Sequence, residues 1–200
     1  MEHASLNEGI MAKGLYVATL CDPRFCWEEY RRLVTFLKEN PLAALKTVEE
    51  RMRHADIYAE LVTNYEKLAK ISEVAYENLV PTAGRNVIAR RLANNTTYTG
   101  IINYAALGDD TTVPANGDTT LGNETYRKTL DSQTYVNNIA YLSAFIPAGT
   151  ATGTHNEGGL FIDGTGSADT GQIFSHVLFS PAVTKAALNS LTLDITITLT

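Results

Sequence analysis

Near one end of the chain, Leu191, Leu193, Ile195, Ile197 and Leu199 alternate with Thr192, Asp194, Thr196, Thr198 and Thr200. This period of two puts the apolar side chains on one face of a strand and the polar ones on the other. At about 1.5–3 kcal/mol for each buried aliphatic side chain, that face contributes on the order of 10 kcal/mol before conformational entropy is counted. Five further stretches, "YTGIINYAAL", "NETYRKTL", "TYVNNIAYLSAFIP", "HNEGGLFI" and "GQIFSHVLF", are set apart by Gly, Asn, Asp and Pro turns. Together they predict an antiparallel β-sandwich.

Upstream the period changes. Trp27, Tyr30, Val34 and Leu37 recur at spacings of three and four, one apolar helical face. Asn40 before Pro41 reads as an N-cap and first helical residue, and predicts a second helix running through Tyr76. Along it the stripe of Leu45, Val48, Met52 and Ala55 is rotated from that of Tyr58, Leu61, Tyr65 and Leu68. A coiled coil would keep one seam, so the pattern favours a kinked hairpin or a helix facing different partners along its length. A short helix is predicted after Pro81, capped by Thr82, with Val87, Ile88 and Leu92 inward and Arg85, Arg90 and Arg91 on its solvated side.

Composition divides the chain at the same place. Residues 1–80 hold 10 Lys and Arg, 13 Asp and Glu and 4 Thr, whereas residues 81–200 hold 6, 9 and 21. The expected fold class is therefore α+β, with an N-terminal helical docking or oligomerisation region (1–80) followed by an antiparallel β-sandwich domain (81–200). The net charge of -6 argues against nucleic acid and anionic membranes as partners, since both need a basic face. No apolar run reaches the ~18–20 residues of a membrane span, and the acidic, Lys13-interrupted start lacks the pattern of a signal peptide; the expectation is a product that stays in the cytosol. Cys21 and Cys26 have neither redox-motif spacing nor the partners zinc needs, and read as thiols.

The run "ALGDDTTVPANGDTTLGNE", residues 106–124, gathers three aspartates, a glutamate and three glycines. As a calcium loop it fails, because Asp109 and Asp110 are adjacent and Pro114 interrupts the alternating ligand spacing. Only an irregular site using Asp109, Asp110, Asp118 or Glu124 would remain, and solvated acidic turns are the commoner outcome. "GTGSADTGQI", 164–173, has phosphate-loop glycines but Gln172 and Ile173 where Lys and Ser or Thr belong. It reads instead as a hairpin turn in which Asp163 and Asp169 bond nearby amides. His3, His54, His155 and His176 lack metal-ligand spacing, and Ser143, Ser175 and Ser180 have no nucleophile-elbow signature. The sequons at Asn94, Asn95 and Asn123 are given no role. No catalytic, cofactor-binding or metal residue is assigned, no cofactor is expected, and the expectation is a protein that is not an enzyme.

In order along the chain, "NLVPTAGRNVIARRLA", "YAALGDDTTVPANGDTTLGNETYRKTL", "NEGGLFIDGT" and "LTLDITITLT" resemble a family of tailed-bacteriophage structural proteins found in tails, fibres and baseplates. The resemblance covers residues 79–200 only. It implies a virion component assembled in the host cytoplasm, with other virion structural proteins as partners and a homo-oligomeric ring or trimer as the working form. It also implies architectural roles for Gly108 and Gly117 in turns, Leu121 and Tyr126 leading into a strand, and Gly159, Leu160 and Phe161 in a core strand. Asp109–Asp110 departs from that family's glycine-rich turn. Two alternatives stand beside a tail interface protein: a capsid decoration protein, and a fibre module binding host surface glycans by stacking on Tyr98, Tyr104, Tyr126, Tyr135 or Tyr141. Tyrosines at strand spacing more often pack across strands.

Overall fold

The computed structural model describes residues 12–22, 27–41, 45 and 47–199. Its elements run β1 (Ala12–Cys21), α1 (Trp27–Glu39), α2 (Val48–Ala69), β2 (Lys70–Leu79), α3 (Thr82–Leu92), β3 (Ile102–Gly108), β4 (Glu124–Thr129), β5 (Ser132–Val136), β6 (Ile139–Ile146), β7 (Gly153–Ile162), β8 (Gln172–Lys185) and β9 (Ser190–Leu199). The chain divides into two compact units, one spanning Thr19–Glu73 and the other the residues up to Ala18 together with Val74 onward.

In the unit Thr19–Glu73, α1 and α2 pack on each other. Helix α2 starts at Val48, not at Pro41, because a better cap lies at Thr47. The Thr47 hydroxyl accepts from the Glu50 amide at 3.1 Å and the Glu50 carboxylate accepts from the Thr47 amide at 3.0 Å, a reciprocal capping box. Asn40 instead closes α1, its amide and side chain both donating to the Phe36 carbonyl. The Phe36 and His54 rings pack with centroids 4.8 Å apart, tilted by 40°, and the buried His54 bonds the Asn40 carbonyl through Nε2 at 2.9 Å. The side chains of Trp27, Tyr30, Val34, Val48, Tyr65 and Leu68, which carried the expected helical stripes, lie outside the described residues.

The expected helix through Tyr76 is corrected, and the expected helical region 1–80 is only partly helical. Helix α2 ends at Ala69 and residues 70–79 form a strand, while residues 12–21 form another. Tyr76 and Val80 are buried while Glu73, Ala75 and Glu77 are exposed, a period of two, and Asn78 and Leu79 pair with Val177 and His176 of β8. Sheet pairing overrides the helix propensity of Lys, Glu and Ala here. In β1 the buried Tyr16, Ala18 and Leu20 alternate with half-buried Val17 and Thr19. Because Leu15 and Val17 make the second face apolar too, this alternation has little polar contrast.

The β-rich, antiparallel expectation holds. The nine strands among the described residues join one sheet in the order β4-β3-β7-β8-β2-β1-β9-β6-β5. Strands β4 and β5 lie at opposite edges although only Leu130 and Asp131 separate them, so the sheet must curl until its edges approach. Leu130 bonds the Asn103 carbonyl of β3, Asp131 bonds the Ser143 carbonyl of β6, and the Gln133 side chain donates to the Ile102 carbonyl. One face of β9 carries Leu191, Leu193, Ile195 and Ile197, all at most 3 % exposed, and lies in register with Ile146, Ala144, Leu142 and Ala140 of β6. A smaller apolar cluster of Ala106, Leu121, Phe161 and Ile173 is covered by Ala83 of α3 and by Tyr104. Helix α3 is seated by Gly84, where an added Cβ would lie 2.5 Å from the Phe174 carbonyl oxygen. Its cap is Pro81, one residue before the expected Thr82, and of the three residues expected inward Val87 is buried, Ile88 half-buried and Leu92 exposed.

Candidate functional site

The densest polar construction is where the 109–123 connection crosses β7 and β8. Pairing of Gly159 with His176 and of Glu157 with Leu178 sets His176 and Glu157 on adjacent strands. Glu157 is 1 % and His176 4 % exposed. The His176 ring lies between two carboxylates, with Nδ1 2.7 Å from Asp118 Oδ2 and Nε2 2.9 Å from Glu157 Oε2. Two carboxylate acceptors call for two N–H donors, so the ring is an imidazolium. Burial pushes its pKa down, but the bonds and charges of Glu157 and Asp118 outweigh burial and raise it.

Glu157 also receives the Asn123 amide at 2.8 Å and the Gly122 amide at 2.9 Å. Burial pushes its carboxyl up, yet the bonds from His176, Asn123 and Gly122 together hold it below the ordinary carboxylate range. Gly108 makes the approach feasible, since a Cβ there would stand 2.3 Å from Glu157 Oε1 and 2.6 Å from the Asn123 carbonyl oxygen. Asp118 accepts the Ala115 amide at 2.8 Å, and Asp110 accepts the amide and hydroxyl of Thr112, which lower its pKa. Asn116 anchors the connection to α3, accepting the Thr82 amide at 3.0 Å through its carbonyl and the Arg85 guanidinium at 2.9 Å through Oδ1.

A second anchor holds the β7–β8 turn. Arg127 and Glu124, 4 % and 1 % exposed in their side chains, form a two-pronged pair whose Nη2–Oε2 bond is 2.6 Å. Arg127 Nη1 donates to the carbonyls of Thr165 and Thr170 at 3.0 Å and to the Thr170 hydroxyl at 2.9 Å. The guanidinium lies 4.6 Å from the Phe161 ring centroid and 5.6 Å from that of Tyr104. The stretch 164–173 is thus a turn that leads into β8, as expected. Asp163, however, accepts from the distant Thr99 amide and hydroxyl instead of neighbouring amides.

The acidic residues of 106–124 are separated by these commitments. Asp118 faces His176, Asp110 faces Thr112, Glu124 faces Arg127, and Asp109 accepts the Asn123 side chain at 2.6 Å. Among the described residues no group of three or more His, Cys, Asp and Glu side chains converges to hold a metal ion. His3 and Cys26 lie outside the described residues. The buried His155 bonds the Ala151 carbonyl at 2.8 Å. Ser175 is buried against the Tyr16 hydroxyl at 3.0 Å and accepts from the Asn78 side chain, while burial raises the Tyr16 pKa. Ser143 pairs across the sheet with Ser132 and Asp194, and Ser180 is exposed.

The candidate stacking tyrosines do not form one platform. Tyr141 pairs with Thr134 and Tyr135 with Ala140, so Tyr135 and Tyr141 fall on opposite faces of the β5–β6 hairpin. Tyr104 packs on the small apolar cluster, and Tyr98 lies under the Arg90 guanidinium at 5.8 Å. Reading the sequence alone missed the buried Lys185, which donates to the Pro147 and Thr150 carbonyls at 3.0 and 2.8 Å and whose pKa burial pushes down. A lone lysine in a strand carries no local signal of such a role.

As chemistry, the His176 cluster binds a proton and clamps backbone. Both imidazole nitrogens are engaged by carboxylates, so in this geometry neither is free to take a proton from a nucleophile. Comparison with protein-family models, with curated proteins and with solved structures yields no match.

Proposed function

We propose that this chain is a non-enzymatic structural protein that makes protein–protein interfaces, working as a homo-oligomer through edge strand β5. The observation carrying the proposal is the contrast between the two sheet edges. Strand β4 buries Glu124 and Arg127 in their mutual ion pair and carries Lys128, bonded to Asp131, and a lysine on an edge discourages pairing with other chains. Strand β5, "SQTYV", has no charged residue, is exposed along all five residues, and ends the sheet with no further strand neighbour among the described residues. Tyr135 is 77 % and Val136 56 % exposed, and Tyr141 and Phe145 on β6 extend the apolar surface on the Val136 face.

A second copy is the occupant that fits. Two β5 strands meeting antiparallel across a two-fold axis put no like charges opposite one another and bury Tyr135 and Val136 of both copies. In this reading the curled sheet serves as the sandwich of the expected fold, a reading supported by the short β4–β5 link and the Gln133–Ile102 bond. The setting we propose is a tailed-bacteriophage particle, most naturally its tail, and its support is the sequence resemblance of residues 79–200. The test is the mass of the full chain by light scattering from low to high micromolar concentration. Wild type should self-associate and the Tyr135→Lys/Val136→Lys variant should stay monomeric with an unchanged circular dichroism spectrum. A wild type that is monomeric throughout refutes assembly through this edge.

A further inference from the structure

We propose that His176 is a proton-gated latch that holds the 118–123 part of the long connection against β7 and β8 while protonated, and releases it when the ring loses its proton. The latch is independent of the edge strand and of self-association. Its logic is donor counting: a neutral imidazole has one N–H, whereas the site presents two carboxylates. After deprotonation one ring nitrogen must face a carboxylate oxygen lone pair to lone pair, at 2.7 Å on the Asp118 side or 2.9 Å on the Glu157 side.

The side that yields is set by the remaining bonds. Glu157 is fixed within β7 and buried, so the remaining ring N–H stays with it, whereas Asp118 lies on the connection, is 24 % exposed in its side chain and can turn to water. Asp118 is therefore the member that leaves with the turn closed by its bonds to Ala115, and the loosened connection lets the Gly122 and Asn123 amides part from Glu157. Leu121, 4 % exposed on Ala106, Phe161 and Ile173, is the apolar residue whose cover is loosened.

The field around the ring favours retaining the proton. The connection contributes Asp109, Asp110 and Asp118, and β7 contributes Glu157. Strand β2 pairs Leu79 with His176 and carries the exposed Glu77 two residues away; α3 contributes the cation Arg85 through Asn116. A raised histidine pKa fixes the sign. The latch is fully closed below the ordinary histidine value near 6.5 and is lost as pH rises through the higher folded value. Glu157 sets the acid limit, since its depressed pKa keeps the carboxylate able to accept the Gly122 and Asn123 amides until pH falls through that lower value.

The test is amide hydrogen exchange of Gly122 and Asn123 in the full chain, corrected for the intrinsic pH dependence, with the His176 titration followed by NMR in the same samples. Protection of both amides should be flat below the His176 midpoint and fall above it, by at most about tenfold per pH unit because one proton is involved. The Ile195 amide serves as the core control and should not follow. Asp118→Asn should lower the His176 midpoint and shift the loss of protection to lower pH by the same amount. His176→Gln should give low, pH-independent protection; if that variant does not fold, Asp118→Asn decides alone. Protection that stays constant through the His176 titration, or a midpoint at or below 6.5, overturns the latch.

Discussion

Replacing Arg127 by Met isolates the energetic role of the buried ion pair. The side chain volume and the contact with Phe161 and Tyr104 are largely kept, but Glu124, 1 % exposed in its side chain, loses both prongs of its partner. Its remaining donor is the Asp169 amide at 3.3 Å. Breaking one side of a buried pair costs about 3–5 kcal/mol, because a desolvated charge is left uncompensated. At ~2–4 °C per kcal/mol for a chain of this size, Tm should fall by roughly 6–20 °C. Glu124→Leu should cost a similar amount, stranding the guanidinium with only the Thr165 and Thr170 oxygens. The double variant removes both charges and leaves only those oxygens without their donor, a cost of about 1–3 kcal/mol for each that cannot reach water. The two single costs should therefore not add, and the double variant should be no worse than either single one. Urea unfolding followed by circular dichroism gives all three values. If Arg127→Met costs less than about 1 kcal/mol, or the single effects simply add, the pair is solvated and the argument fails.

Two further substitutions separate competing effects. Gly84→Ala would ordinarily stabilise a helix by about 1 kcal/mol, but the new methyl would meet Phe174 backbone at 2.5 and 2.9 Å. Overpacking of ~1–3 kcal/mol should win, giving a lower Tm in thermal unfolding, whereas a higher Tm would mean that α3 shifts freely. Ile195→Ala, in the middle of the fully buried face of β9, should cost about 2–5 kcal/mol in urea unfolding, far more than Thr196→Ala on the opposite face.

Legibility of the fold followed the contrast between faces. The alternation of Leu191 to Leu199 with threonines identified β9 to within a residue or two at each end, and the β7 run was equally plain, whereas β8 runs on to Lys185, past the expected end at Phe179. The "TYVNNIAYLSAFIP" stretch concealed two strands, because the Asn137–Asn138 turn, with Asn137 at φ 55, is a two-residue hairpin rather than part of one strand. Strand β2 was hidden because Lys70, Glu73, Ala75 and Glu77 are helix formers in isolation and only the place of the segment between β8 and β1 makes it strand. The candidate site was half legible. The acidic turn stood out, but its meaning depends on His176 and Glu157, 58 and 19 residues from their partners in the cluster. No spacing rule reaches across such separations; the strand pairing creates the neighbourhood.

The place of β9 in the sheet has a kinetic consequence. It sits between β1 and β6, although Ser190 follows Cys21 by 169 residues. Until β9 inserts, both neighbours present open edges and the apolar rows of β1 and β6 have no cover, so closure of the sheet awaits a contact of very large sequence separation. Such topology slows folding and leaves a sticky partly formed sheet for the interval. Refolding should accordingly be slow and concentration-sensitive, with the insertion of one strand, not the formation of the helices, setting its pace.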